Sequence, residues 1–370
     1  MNRKQLKILI AFLIVLCISI VILVLVSKNS KKSSTGPEEK AEEEYILPEK
    51  FRKINEIVVE TKTNRFNFVK SFDKWTNKDD AGFPVDNEKV NMLGNMLSNM
   101  KKLREIKDYA ELADFKLDAP AMTVTVGNEA DSYKVLFSDY TGNDNVFYVL
   151  ADDSVYLTDS AVYKFAKYSL LDYCFIPENP DFTPGSVRTI TVEVKGGNTI
   201  ELVPGEKKAS EGDAGEWYYY VSSDGEGFND KKLCDQGDIN VFFNYLTELS
   251  YNRVIEYDPS DERRDFYGIK EPAATVTVQF HGITNVTQVT DAGQRVDQML
   301  DADFTFKFLI GNEIKESDGE YFITDTCIDS VASENLYDGN NCVFATNSYY
   351  AKFFINLTRD SLNGVASSKN

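Results

Sequence analysis

The sequence predicts an α+β protein: two tandem copies of a mixed or antiparallel sheet module, each with one longer and one shorter helix, after an N-terminal transmembrane helix. Three observations lead there. An amphipathic stretch occurs twice, a Thr-Val-Thr-Val motif follows it both times, and an uninterrupted apolar run lies near the start.

The doubled stretch reads DNEKVNMLGNMLSNMKKLREI over residues 86–106 and DQGDINVFFNYLTELSYNRVI over residues 235–255. Laid over each other without a gap, Val90 meets Ile239, Leu93 meets Phe242, Leu97 meets Leu246 and Met100 meets Leu249. Steps of three, four and three define one face of a helix. Asn91, Asn95 and Arg104 coincide with Asn240, Asn244 and Arg253. Asp86 is placed to cap the first helix, and Asp235 or Asp238 the second.

The strand motif lies in DFKLDAPAMTVTV (114–126) and DFYGIKEPAATVTV (265–278). Pro120 and Pro272 have no N–H to give a ladder and suit a strand start. The β-branched alternation after them reads as a half-buried strand. Phe115, Pro120, Phe266 and Pro272 are expected to serve the fold, with the Phe266 ring in the core. Elsewhere IVVE (57–60) matches ITVE (190–193), and Trp75 falls with Trp217. YKVLF (133–137) matches FKFLI (306–310), and VYLTDSAVYKF (155–165) matches VFATNSYYAKF (343–353). Each copy then reads as three strands, the third with tryptophan, a helix, four strands and a helix. The first module is assigned to residues 45–178 and the second to 179–358, followed by a disordered tail, 359–370. The second copy carries long polar insertions at 282–302 and 312–341, candidate contact loops.

Residues 8–26, ILIAFLIVLCISIVILVLV, are apolar apart from Ser19. As a helix they span about 28 Å, close to the hydrocarbon thickness of a bilayer. The run exceeds a secretory h-region and ends without a small-residue cleavage site. Residues 1–26 are therefore assigned as a cytoplasmic tail and an uncleaved anchor. The polar, charged residues 27–44 cannot offset the entropy of ordering and form a flexible stalk. Basic residues flank the run on both sides, but a short N-terminal tail of this kind stays inside. The expected location is the cell membrane, single-pass, with the N-terminus cytoplasmic and the body extracytoplasmic.

With Lys+Arg 40 against Asp+Glu 59, the formal net charge is −19. Such a surface repels phosphate backbones, so no nucleic-acid partner is expected. Cys174, Cys234, Cys327 and Cys342 lie outside the apolar run; Cys17 lies within it. The four allow three connectivities, of which Cys327–Cys342 closes the shortest loop, and unpaired buried thiols are the other reading. His281 is the only histidine, and no C-x-x-C pair, G-x-S-x-G elbow or phosphate loop occurs. His281 reads as a strand-end or turn residue. The acidic groups at 139–144, Asp152-Asp153, 224–227 and 258–261 read as turns. Trp217-Tyr218-Tyr219-Tyr220 reads as a strand with aromatics on both faces, and Tyr349-Tyr350 likewise. No catalytic, cofactor or metal residue is assigned, no cofactor is expected, and no binding residue is singled out.

Trp75, residues 83–86, residues 117–126 and, more loosely, residues 266–278 carry a resemblance to a bacterial family known as domain of unknown function four-three-four-zero. The family's glycine before the apolar residue is Gly268 in the second copy, but Lys116 takes its place in the first. The resemblance implies a membrane-anchored protein found beside ABC transporters of the gliding-motility type, and it implies no activity. The expected function is that of a non-enzymatic extracytoplasmic accessory or scaffold protein. Its expected partners are the membrane and transporter membrane subunits or another envelope protein. A surface module that binds glycan or peptide is the alternative.

Overall fold

The computed structural model describes residues 44–364 apart from 129, 139–145, 160–161, 163–167, 181–182, 211, 224–230, 290–294, 318 and 330–340. The expected anchor, nearly all of the stalk and residues 365–370 lie outside the described residues. Among those described, no helix is long and apolar enough to cross a membrane.

Two antiparallel sheets with few helices make the body, which fits the α+β expectation. The first sheet comprises β1 (Glu56–Thr61), β2 (Arg65–Ser71), β3 (Lys74–Asn77), β4 (Arg104–Ile106), β5 (Met122–Gly127), β6 (Ser132–Phe137), β7 (Val146–Ala151) and β8 (Ser154–Asp159). Its order is β3-β2-β1-β5-β6-β7-β8-β4. The second comprises β9 (Val187–Val194), β10 (Asn198–Pro204), β11 (Trp217–Ser223), β12 (Lys232–Leu233), β13 (Arg253–Tyr257), β14 (Ala274–Val289), β15 (Arg295–Ile314), β16 (Glu320–Asp329) and β17 (Cys342–Asn347). Its order is β12-β11-β10-β9-β14-β15-β16-β17-β13. With the two-residue β12 set aside, every strand of one sheet has a counterpart at the same place in the other. Among the described residues all the strand ladders are antiparallel, and no mixed sheet occurs there.

The register repeats as well. Ile57 lies opposite Phe68 and Val126, and Ile190 lies opposite Leu202 and Val278. Met122 faces Phe137 where Ala274 faces Ile310. The Thr-Val-Thr-Val alternation explains why these strands hold register. Val124, Val126, Val276 and Val278 are all fully buried, and a one-residue slip would send each to the opposite face.

Helix α1 (Asn87–Ser98) and helix α2 (Gln236–Thr247) lie after the tryptophan strands. Each is capped by an aspartate: Asp86 accepts the Lys89 N–H, and Asp235 accepts those of Gly237 and Asp238. Val90, Leu93 and Leu97 are buried on one helix, and Ile239, Phe242 and Leu246 on the other. Both helices stop sooner than the doubled stretch. Met100 and Leu249, buried just beyond the ends, belong to the turns that lead into β4 and β13. A fifth strand therefore follows each helix where four were expected. The shorter helix of the second copy is α4 (Ser348–Ile355). Most of its expected counterpart in the first copy lies outside the described residues.

Several expectations change. Residues 282–289 and 295–302 extend β14 and β15 as strand and not as loop, pairing in unbroken register from Ala274↔Ile310 to Val289↔Arg295, while 290–294 lie outside the described residues. The segment 312–341 contributes the end of β15 and β16, and its residues 330–340 lie outside the described residues. Phe266, at the end of helix α3 (Asp261–Phe266), is 63% exposed, and Phe115 is only half-buried. The buried residues nearby are Tyr267, Ile269 and Leu117. The sequence 359–370 starts as a 3-10 turn, Arg359–Leu362, with Leu362 fully buried. That turn has a counterpart in Leu170–Tyr173. The Asp86 N–H donates to Tyr173 O at 2.8 Å, and the Asp235 N–H donates to Leu362 O at 2.8 Å. Each module thus closes by hydrogen bonding its last turn to the cap of its main helix.

Buried side chains from both sheets form one connected core. Tyr267, Ile269, Phe322 and Val343 form a small satellite cluster under α3.

Candidate functional site

His281 is the centre of a polar cluster on the surface. It sits within β14, not at a strand end, because the strand continues past it to Val289, and it pairs in register with Asp303. Its Nδ1 lies 2.9 Å from Asp303 Oδ1 and its Nε2 lies 3.0 Å from Asp301 Oδ1. Both ring nitrogens face carboxylates, and both contacts are hydrogen bonds only when both nitrogens carry protons. Arg188 approaches the same Asp303 oxygen at 2.7 Å. The cluster is well exposed, so these ion pairs are worth about 0–1 kcal/mol each and tie β9, β14 and β15 together modestly.

A cleft of 660 Å³ opens beside the cluster, walled by Arg188, Lys207, Lys208, Glu216, Trp217 and His281. Lys207 is held by Asp213 at 2.7 Å, and Arg188 by Asp303. Its cations are therefore largely neutralised by carboxylates of the chain itself. A second hollow, of 740 Å³, lies between Phe266, Ile314 and Phe322, with Asn312, Glu313 and Lys315 at its rim. Gly311 lies at the irregularity in the β15–β16 register. A Cβ built there would stand 2.1 Å from Tyr267 O, so only glycine lets β15 pass this close to the end of α3. A third depression, of 620 Å³, runs along α1 over Asn91, Met92, Asn95, Met96 and Asn99.

The aromatic segments divide as expected for β11: Trp217 and Tyr219 are buried, while Tyr218 and Tyr220 occupy the other face. Tyr349-Tyr350 lies on α4 and not on a strand. Tyr349, 59% exposed, stacks on Tyr245 at 4.6 Å, and Tyr245 stacks on Phe353 at 3.9 Å. Burial, and then the hydrogen bond with Tyr349, push the Tyr245 hydroxyl up to about 12. The outer end of this three-ring ladder presents an accessible flat aromatic surface on α4.

The acidic groups serve turns where they are described. Asp152 and Asp153 join β7 to β8 with φ of 50° and 61°, a left-handed pair that Asp tolerates. Asp258 has φ of 47°, and Ser260 caps α3. The groups 139–144 and 224–227 lie outside the described residues. Among the described residues no group of three or more His, Cys, Asp or Glu is placed to hold a metal ion.

Two buried arrangements have no signature in the sequence. Asp325, 2% exposed on β16, accepts the Tyr251 hydroxyl at 2.6 Å, and its Oδ1 has no partner. Burial pushes its carboxyl up to about 7 against the pull of that hydrogen bond. Cys174 and Cys342 are thiols whose Sγ atoms lie 3.4 Å apart, while Cys234 and Cys327 are buried free thiols. The Cys342 thiol and burial push Cys174 well above the ordinary thiol range. Of the pairings left open, the one with the shortest loop, Cys327–Cys342, is not the one the fold brings together, and all four cysteines are buried free thiols.

The fold defines a duplicated antiparallel-sheet protein, with the tryptophan strand and its capped helix as the unit that recurs. A family model described as Domain of unknown function (DUF4340) matches residues 75–224, and over that stretch the chain resembles this family. The match starts on β3 and ends just past β11, so it spans one full period of the repeat, entered at one tryptophan strand and left at the next. No curated protein and no solved structure matches the chain.

Proposed function

We propose that this protein is a non-enzymatic, membrane-anchored accessory or scaffold subunit on the extracytoplasmic side, working with an ABC transporter or in envelope assembly. The observation that carries this reading is the order of parts: a 19-residue apolar run, a polar stalk, then a doubled body with a continuous core. In this reading the polar stalk keeps the body within a short reach of the bilayer, where it would meet membrane subunits at high effective concentration. In keeping with that role, the polar groups that would attract a catalytic assignment, His281 and the Asp152-Asp153 pair, brace strands and form turns. Affinity purification of the full chain from detergent-solubilised native membranes tests the proposal. Reproducible recovery of the same integral membrane subunits supports it, and recovery of none across independent preparations removes its basis.

The ring ladder ending at Tyr349 favours a second reading, a surface module for cell-wall glycan. Stacked aromatics present apolar faces to sugar rings. Binding of cell-wall fragments that is lost in Tyr349→Ala would favour this reading, and silence across such fragments would count against it.

A further inference from the structure

The geometry points to Cys174 and Cys342 as a covalent cross-link site that joins the two modules through a disulfide. The pair sits on their seam. Cys174 follows the turn Leu170–Tyr173 that closes the first module, and it bridges Val85 just ahead of α1. Cys342 opens β17 of the second module, in register with Tyr257 on β13. Phe83, two residues before Val85, meets Tyr257 edge-on with ring centroids 5.2 Å apart. Residues on both sides of the two thiols are thus already in contact.

Both positions are held by backbone. The Phe175 N–H donates to Pro84 O at 2.7 Å, and the Cys174 N–H donates to Leu171 O at 3.1 Å. Cys342 O accepts the Thr324 hydroxyl at 3.0 Å. The sulfurs, 3.4 Å apart, need to close to about 2.05 Å. The competing partner for Cys342 is less well placed. Continuing the register Ile323↔Phe344 puts Cys342 opposite Asp325, and Cys327 lies two residues, roughly 7 Å, further along β16. Cys234 and Cys327 are thereby left as thiols.

The oxidant is a disulfide-bearing exchange partner. The Cys174 thiolate attacks one of its sulfurs, forming a mixed disulfide and releasing one thiol. The Cys342 thiolate then attacks the Cys174 sulfur, forming the Cys174–Cys342 bond and releasing the second thiol. The oxidant gains two electrons, and the protons lost by the two cysteines end on its thiols. Both cysteines are at most 1% exposed, so exchange takes place while the seam is open, during folding or on partial separation of the modules.

The test uses the full chain in detergent, once as isolated without reductant and once with oxidised glutathione over a series of sub-denaturing guanidinium concentrations. Remaining thiols are alkylated, and the digest is read by mass spectrometry without reduction. The expected result, in at least one arm, is one linked species containing the Cys174 and Cys342 peptides, split by reductant, with Cys234 and Cys327 alkylated. Cys327→Ser should retain this species and Cys174→Ser should lose it. A Cys327–Cys342 linkage, or Cys174 and Cys342 alkylated in both arms, would overturn the inference.

Discussion

Trp75 donates its indole N–H to Oδ1 of Asn91 across 2.8 Å, binding the third strand of the first module to its helix. The second module keeps the same asparagine but inserts a backbone step. Asn240 Oδ1 accepts the Ala214 N–H, and Ala214 O accepts the Trp217 indole N–H, each at 2.8 Å. A helix-borne amide oxygen thus positions the tryptophan strand in both halves, once directly and once by relay.

Asn91→Ala leaves a donor on a 2% exposed indole without its acceptor. Such a group costs about 1–3 kcal/mol. Urea unfolding of the body should show a loss in that range. Asn240→Ala should behave comparably through the Ala214 amide, and an unchanged midpoint for both would remove the proposed role.

Lys116 and Gly268 occupy equivalent turns of the two copies, with φ of 57° and 73°. The lysine keeps the left-handed geometry that the glycine adopts freely, so the local turn survives the substitution at a cost in strain. Lys116→Gly is expected to stabilise by about 0.5–1 kcal/mol, the strain relief exceeding the added chain entropy. Gly268→Ala should destabilise, because its Cβ would stand 2.6 Å from Asn312 Oδ1 at a positive φ. Paired thermal melts decide the signs.

Phe308 is fully buried on β15, whereas the Phe266 ring faces solvent. Phe308→Ala should cost about 3–5 kcal/mol. Phe266→Ala should stay within about 0.5 kcal/mol. Equal losses in denaturant titrations would mean that the exposed ring is covered in solution.

Burial pushes the Asp325 carboxyl up to about 7 in the folded chain, well above the ordinary carboxylate range. The folded state therefore holds this proton more tightly than the unfolded state does. Its contribution is fully present below about pH 4 and is lost as pH rises through 7, a fall of about 4 kcal/mol over that window. Asp325→Asn should flatten this part of the stability profile and raise stability at pH 8. A profile unchanged by the substitution would show that the carboxyl is solvated.

The strand motif made much of this fold legible. Val124, Val126, Val276 and Val278 announce their own burial by alternation, and the aspartate caps mark where each main helix begins. The helix ends were harder to read, because β4 and β13 are short, hold no fully buried residue and carry no alternating pattern. The closing turns Leu170–Tyr173 and Arg359–Leu362 share only polar capping residues, Ser169 with Asp172 and Thr358 with Ser361, too little for a repeat to show. Tyr251 and Asp325 meet only because β16 passes that tyrosine, and Cys174 finds Cys342 across 168 positions. The first contact depends on packing within the second module and the second on how the halves dock, and no local pattern encodes either.

The unbroken core across the seam decides how this body melts. Unfolding either sheet would expose apolar area on the one left standing, so neither half has a stable intermediate to rest in. Calorimetry should accordingly find a single endotherm for residues 45–364, with van't Hoff and calorimetric enthalpies in agreement. The duplicated architecture behaves as one cooperative unit, even though its sequence repeats.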